Sequence, residues 1–324
     1  MINYYCLGTS RNIVTVSKVV SNNDSLLDNE KRLQQNCLLL FYYIMIILYI
    51  AISSQFTRGD VSNMFNRNDF CIKSRTDGMN VEELWSKLTM IINQCSQRRF
   101  LKINGYRNHD EIKLHVTPNR NIILNSTNCT IVSLGIGGDV EAEKKMKRDM
   151  PECAFFGADP IKDPNQEMFE EVGVFYNIAI GGKNGTLEAT VLELDKGYHI
   201  REVEHVDLAT FLRSLIGRSL IDQLIIDVEW EEYDLLPYFL KSGDLENAKI
   251  IICQFNIEIH HPDYAQKAQF FEFFLELMDD NRYTPLAANT MLGHIRLYFL
   301  NHEQQECRRR YIAARRSMPT ALRT

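Results

Sequence analysis

The sequence lacks the short signatures that would name a chemistry outright. It has no G-x-S-x-G, no H-E-x-x-H and no paired C-x-x-C. Those absences count against a serine hydrolase, a zincin and a zinc ribbon. It also has no G-x-G-x-x-G, because Val140 stands where the third glycine would follow Gly135-Ile136-Gly137-Gly138. No internal repeat and no low-complexity tract is present, so the chain does not read as a repeat array. Net basic charge is missing too: the formal charge is −6, and no nucleic-acid partner is expected.

What is present is an ordinary globular composition, 45% hydrophobic and 24% charged over 324 residues. That length allows one large domain or two small ones with appendages. Near the N-terminus, 37–52 reads CLLLFYYIMIILYIAI, and no charge falls between Arg32 and Arg58. Residues 33–57 are long enough to cross about 30 Å of hydrocarbon. A transmembrane signal-anchor is therefore expected over 37–54, with single-pass contact to a membrane. Lys18, Lys31 and Arg32 on one side nearly balance Arg58, Arg67, Lys73 and Arg75 on the other. A lumenal catalytic part, in the endoplasmic reticulum or Golgi, is favoured on two grounds. Asn125-Ser-Thr, Asn128-Cys-Thr and Asn184-Gly-Thr match the glycosylation acceptor pattern. Cys71, Cys95, Cys129, Cys153, Cys253 and Cys307 form an even set that permits disulfides, with the connectivity left open.

The chain divides by composition into a tail (1–36), the anchor (37–54), a stem with a helical extension (55–120), a core domain (121–303) and a basic tail (304–324). Residues 53–79 are polar and hold no period. From Val81, Leu84, Leu88, Ile91, Ile92 and Cys95 recur at helical steps, with Asn80 as N-cap and Glu82 and Glu83 in the first turn. A polar stretch, 102–120, leads to the core. Arg308, Arg309, Arg310, Arg315, Arg316 and Arg323 read as a solvated basic tail.

The core domain alternates strand and helix. Strands are predicted over 130–134, 153–158, 174–180, 187–194, 224–228, 249–255, 283–287 and 295–300. Helices are predicted over 140–149, 165–171, 233–242 and 264–280, and 205–216 begins extended and turns helical. This alternation argues an α/β fold, a parallel sheet covered by helices on both faces.

Two strand ends carry the chemistry. The first strand runs into Gly135, Gly137 and Gly138, and the second ends on Asp159. Glycines let a ligand approach the backbone, and a carboxylate at the same sheet edge can accept hydrogen bonds from a ribose diol. The following helix opens with Asp139, Glu141 and Glu143. Those acids disfavour a pyrophosphate and suit a cationic cofactor such as S-adenosyl-L-methionine over NAD. A third strand delivers Asp227, with Glu229 two residues on, as groups that orient an acceptor or take its proton. Glu231 and Glu232 read as solvated helix-start acids. Gln254, Asn256 and Glu258 carry polar groups towards the same rim. His260 is a candidate substrate-side base. Asp227 and His260 are both metal-ligating types, but adjacent histidines in a polar loop are ordinarily loop residues, so no metal is expected.

Four blocks in order extend this reading: Val132-Ser-Leu-Gly-Ile-Gly-Gly138, Phe156-Gly-Ala-Asp-Pro160, Tyr176-Asn-Ile-Ala-Ile-Gly-Gly-Lys-Asn-Gly185 and Ile225-Ile-Asp-Val-Glu229. From about 128 to 301 the chain resembles the FkbM-type methyltransferases, a branch of the class I S-adenosylmethionine-dependent fold, and is most similar to its membrane-anchored nematode members. The resemblance implies a Rossmann-like, mostly parallel seven-stranded sheet with an antiparallel last strand. It implies a cofactor held by Gly135, Gly137, Gly138, Asp159 and Ala179, and an acceptor, of unknown identity, facing Asp227, Glu229 and His260. Ile226 stands where the family commonly has a basic residue, and Trp230 where it commonly has glycine. The first block lacks the usual Ala-Asn after Gly135. A hydroxyl acceptor is expected by analogy. The alternatives are a catalytically degenerate binding protein and an NAD-dependent oxidoreductase.

Overall fold

The computed structural model describes residues 39–40, 42–47, 63–119, 121–193 and 195–312. The chain separates into two units, Met1–Asp60 and Val61–Thr324. In the first, 39–40 and 42–47 are helical, and Leu39, Leu40 and Tyr42 are exposed. Among the described residues no helix is long and apolar enough to cross a membrane. The described residues therefore do not by themselves support the anchor expected over 37–54. The rest of that stretch, the 1–36 tail and 313–324 lie outside the described residues.

The second unit is built on a seven-stranded sheet. Its members are β3 (Thr130–Leu134), β4 (Ala154–Ala158), β5 (Val174–Tyr176), β10 (Gln223–Ile226), β12 (Gln254–Ile259), β13 (Tyr283–Met291) and β14 (His294–Asn301). Their order is β13-β14-β12-β10-β3-β4-β5. β5, β4, β3, β10 and β12 run parallel, while β14 opposes both β12 and β13. The sheet is thus mixed, with its last strand antiparallel and inserted one place in from the edge. Order reverses between β3 and β10, so the crevice of the sheet opens past Leu134 and Ile226.

Both faces are covered, and the alternation of side chains along each strand shows how. Val132, Leu134, Leu224 and Ile226 pack on one face with the helices Val81–Cys95 and Tyr264–Asp280. Ile131 and Ile225 pack on the other face with Ala142 and Met146 of the helix Glu141–Asp149 and with Phe169. Phe255 of β12 stacks between Phe239 and Phe299, centroids 4.4 and 4.6 Å away. Each such buried aromatic contributes about 1.5–3 kcal/mol. Both long helices open with a capping box, Asn80 with Glu83 and Asp263 with Gln266.

Three features depart from the sequence reading. Residues 63–76 are helical, not an aperiodic stem, with Met64, Phe65 and Ile72 buried. The polar stretch 102–120 contains a hairpin, β1 (Ile103–Arg107) with β2 (Ile112–Val116). The segment after Ala179 forms a second, three-stranded sheet from β6 (Ala179–Gly181), β7 (Gly185–Glu193) and β8 (Gly197–Asp207). The short strands β9 (Leu220–Ile221) and β11 (Ile251–Ile252) pair beneath the main sheet's base. Val61–Thr324 forms one compact unit.

All six cysteines beyond residue 60 are paired: Cys71–Cys95, Cys129–Cys153 and Cys253–Cys307. The last ties the short helix Gln305–Cys307 to the strand base. Arg310, expected in a solvated tail, is buried, with its guanidinium 2.7 Å from Asp222. Tyr311 donates to the same carboxylate at 2.6 Å. A buried carboxylate needs such partners.

Candidate active site

Past the carboxyl ends of β3, β4 and β10 lies a small, partly open cleft. Gly135, Gly137, Asp159, Ala179, Asp227 and Glu229 all line it. Gly138 and His260 do not. Residues 189–192 of β7 cover one side, so the second sheet acts as a wall that sequence reading did not foresee.

The glycine turn exists because two strand ends nearly touch. Gly135 has φ +77°, and a Cβ there would sit 1.7 Å from the carbonyl oxygen of Asp227. No side chain is compatible with that approach. Gly137 has φ +61° and open space where its Cβ would point. Here the backbone conformation demands glycine.

Asp159 builds the turn. Its Oδ2 accepts from the amides of Ile136 at 2.8 Å and Gly137 at 3.3 Å, and its Oδ1 accepts from Ile161 N–H at 2.7 Å. Burial raises its pKa, against the lowering effect of these amides. Gly138 N–H donates to Asn165 Oδ1 at 2.9 Å instead of facing the cleft. The helix-start acids are structural as well. Asp139 accepts from the amides of Glu141 and His109. Glu143 is buried, 2.8 Å from Lys113 Nζ and accepting from Ser133 Oγ. These acids are occupied by the fold, so they carry no discrimination between S-adenosylmethionine and NAD.

The opposite wall is the turn after β10. Glu229 and Trp230 both adopt left-handed backbone, φ +54° and +76°. Two successive non-glycine residues in that region cost on the order of 1–3 kcal/mol each. The turn is held by Glu232, whose Oε1 accepts from Val228 N–H at 2.8 Å, and by the Trp230 indole N–H, which donates to His261 O at 2.9 Å.

His260 stands directly behind this turn, buried, not in a polar loop. Its Nδ1 lies 2.9 Å from Glu232 Oε1, and its Nε2 lies 3.0 Å from Glu229 Oε2 and 3.6 Å from Asp227 Oδ1. Burial opposes its charge, but Glu232, Glu229 and Asp227 outweigh that and push its pKa up to about 11. Asp227 opens to the cleft while its Oδ1 is enclosed. Burial, then Glu258, moves its carboxyl well above the usual carboxylate range, with His260 pulling the other way.

Glu231 and Glu232 correct the sequence reading in opposite ways. Glu232 has no exposure and orients His260. Glu231 lines the cleft, 4.0 Å from Nε2 of the buried His205, and burial raises its pKa. No local pattern marks either residue, since their neighbours come from β8 and β12. Asn256 and Gln254, expected at the rim, instead fasten β2 to the sheet. Asn256 exchanges two hydrogen bonds with the backbone of Leu114, and Gln254 accepts from Val116 N–H. Glu258 pairs with Arg296.

The chain was compared with known proteins. It overlaps a ribosomal protein L11 methylase from Lactobacillus delbrueckii subsp. bulgaricus over 56% of this chain and 73% of that one, at 12% identity and a TM-score of 0.25. It is 26% identical over 105 residues to the uncharacterized protein C28H8.7 of Caenorhabditis elegans, 32% of this chain and 36% of that protein. The chain therefore spans about a third of that curated relative's length. The profile of the methyltransferase FkbM domain matches residues 95–310. That span contains the strand ends, the glycine turn and both walls of the cleft, and the chain belongs to the methyltransferase FkbM domain family.

Proposed function

We propose that the protein is an S-adenosylmethionine-dependent methyltransferase acting on a hydroxyl acceptor. The observation that carries this reading is the cleft between the Gly135–Gly137 turn and Asp227, in a chain of the FkbM methyltransferase family. The residues fit the cofactor. Gly137 leaves open space, and the Asp159 carboxylate lines the cleft at the end of β4. Gly135, Gly137 and Ala179 would line the nucleoside, and Asp159 would take a ribose hydroxyl.

When bound, S-adenosylmethionine supplies an electrophilic methyl group. The chain's own residues then position the acceptor and manage its proton. Asp227, facing the cleft, accepts the hydroxyl proton as the oxygen attacks. Glu229 and the wall from β7 hold the acceptor in line and keep water out, and such positioning supplies much of the rate in a displacement. A non-catalytic reading has one observation in its favour, the bulky Trp230 at a left-handed position where the family commonly has glycine.

Calorimetric titration of the full chain with S-adenosylmethionine, with NAD as control, tests the proposal. Binding of the first alone is expected. No binding of either favours the degenerate reading. Binding undiminished in Asp159→Ala removes the ribose role.

We further infer a lumenal, oxidising location with a membrane anchor over 37–54. The three disulfides and the exposed acceptor Asn125 support the compartment, and the apolar sequence supports the anchor. Carbonate extraction and glycosidase digestion test the two parts separately.

A further inference from the structure

The cluster behind the cleft is unbalanced in a way that points to a ligand. His260 has a side chain only 4% exposed, and its Nε2 points between Glu229 Oε2 at 3.0 Å and Asp227 Oδ1 at 3.6 Å. The Glu229 contact is an ion pair, but neither carboxylate oxygen has a well-aligned hydrogen-bond donor among the described residues. Glu232, with no side-chain exposure, has a second oxygen in the same condition. Buried carboxylate oxygens left without partners cost several times what a satisfied one does.

Charge counting gives the same result. Glu258 is matched by Arg296, and Glu111 and Glu143 share Lys113. Asp227, Glu229 and Glu232 remain around one imidazole. Even with His260 protonated and Asp227 left out of the count, Glu229 and Glu232 put two carboxylates against one positive charge, an excess of one.

We propose that Asp227, Glu229 and His260 Nε2 form a site for a divalent cation of the Mg²⁺ or Mn²⁺ type, oriented by Glu232. Adjacent ligands of an octahedral ion at about 2.1 Å lie about 3 Å apart, and His260 Nε2 lies 3.0 Å from Glu229 Oε2 and 3.6 Å from Asp227 Oδ1. The oxygen-rich set with one imidazole suits such a hard or borderline ion. Glu232 accepting at Nδ1 is the outer-shell arrangement that leaves Nε2 free for a metal. Because Asp227 and Glu229 line the cleft, the ion's open positions face the acceptor, where it lowers the pKa of a coordinated hydroxyl. That role, though not the binding itself, rests on the methyl-transfer reading.

The test is a titration of the metal-stripped full chain with Mn²⁺ alone, followed by electron paramagnetic resonance of the free ion. One Mn²⁺ per chain is expected. Glu232→Gln, which touches the ring and not the ion, weakens binding by about 10–100-fold, and Glu229→Gln by at least as much. Glu229 sits at the cleft wall, so its variant keeps the fold and melts no lower than the parent. Absence of Mn²⁺ binding at millimolar concentration, or affinity unchanged in Glu229→Gln, overturns the site. Mn²⁺ binding without S-adenosylmethionine binding upholds the cation site and removes the methyl-transfer role. S-adenosylmethionine binding without Mn²⁺ does the reverse.

Discussion

The two walls of the cleft are built on opposite principles. On the Asp159 side, each carboxylate oxygen accepts at least one backbone amide, and Gly138 and Asn165 complete the network. On the Asp227 side, carboxylate oxygens are enclosed without donors and two residues sit in left-handed backbone. The first wall is finished by the fold, its carboxylate already engaged by backbone amides. The second holds unspent charge and strain, which is where chemistry is expected to concentrate. A satisfied network stabilises; an unsatisfied one is retained at a cost elsewhere in the structure.

Substitutions break or sharpen this contrast. Gly135 belongs to both walls, and Gly135→Ala has the largest effect. The clash with the Asp227 carbonyl forces the strand ends apart, costing about 4 kcal/mol or more. Thermal unfolding would show it, and ligand binding would be lost with it.

Next comes acid lability, which originates below the cleft and not in it. His115 on β2 is buried, its Nδ1 2.9 Å from Gln223 at the root of β10, and burial lowers its pKa to about 4. The unfolded chain takes up that proton first, so the histidine's contribution is full above about pH 6.5 and falls away towards pH 4. The integrated effect is about 3 kcal/mol. Denaturant unfolding of His115→Gln against pH should show a flatter acid limb between those values. An unchanged limb would shift the lability to the carboxylates.

Asp159→Asn comes third. It removes the charged acceptor from all three amides and leaves at least one with no acceptor, at a cost of about 2 kcal/mol, visible as a lower denaturation midpoint. Glu229→Gln is smallest in stability and opposite in sign. It relieves an excess negative charge, so the midpoint should hold or rise by about 1 kcal/mol while turnover is abolished. If both variants destabilise alike, the contrast between the walls is wrong.

Legibility in the sequence followed the range of the interaction. The strand over 130–134 and the helix over 264–280 were readable to the residue because apolar period and capping are local signals. Gly135 and Asp159 were readable because a strand, a tight turn and a carboxylate one βαβ unit later form a local pattern. The helix over 63–76 was not, because its sparse apolar residues gain their meaning from Cys71–Cys95 and the sheet edge. The acids after Gly138 were misread because their partners, Lys113 and His109, lie on a hairpin that a polar stretch concealed. Glu232 and Arg310 looked solvated by composition, and only distant contacts bury them.

By itself, the sequence determined the alternating α/β pattern, the glycine turn and the carboxylates at the strand ends. Those depend on residue period and backbone conformation, which are written over a few neighbours. Only the tertiary structure decided the insertion of β14, the pairing of the cysteines, the β7 wall and the meeting of His260 with Asp227, Glu229 and Glu232. Each of these joins residues from separate strands, and their distance in space is set by how the whole sheet packs.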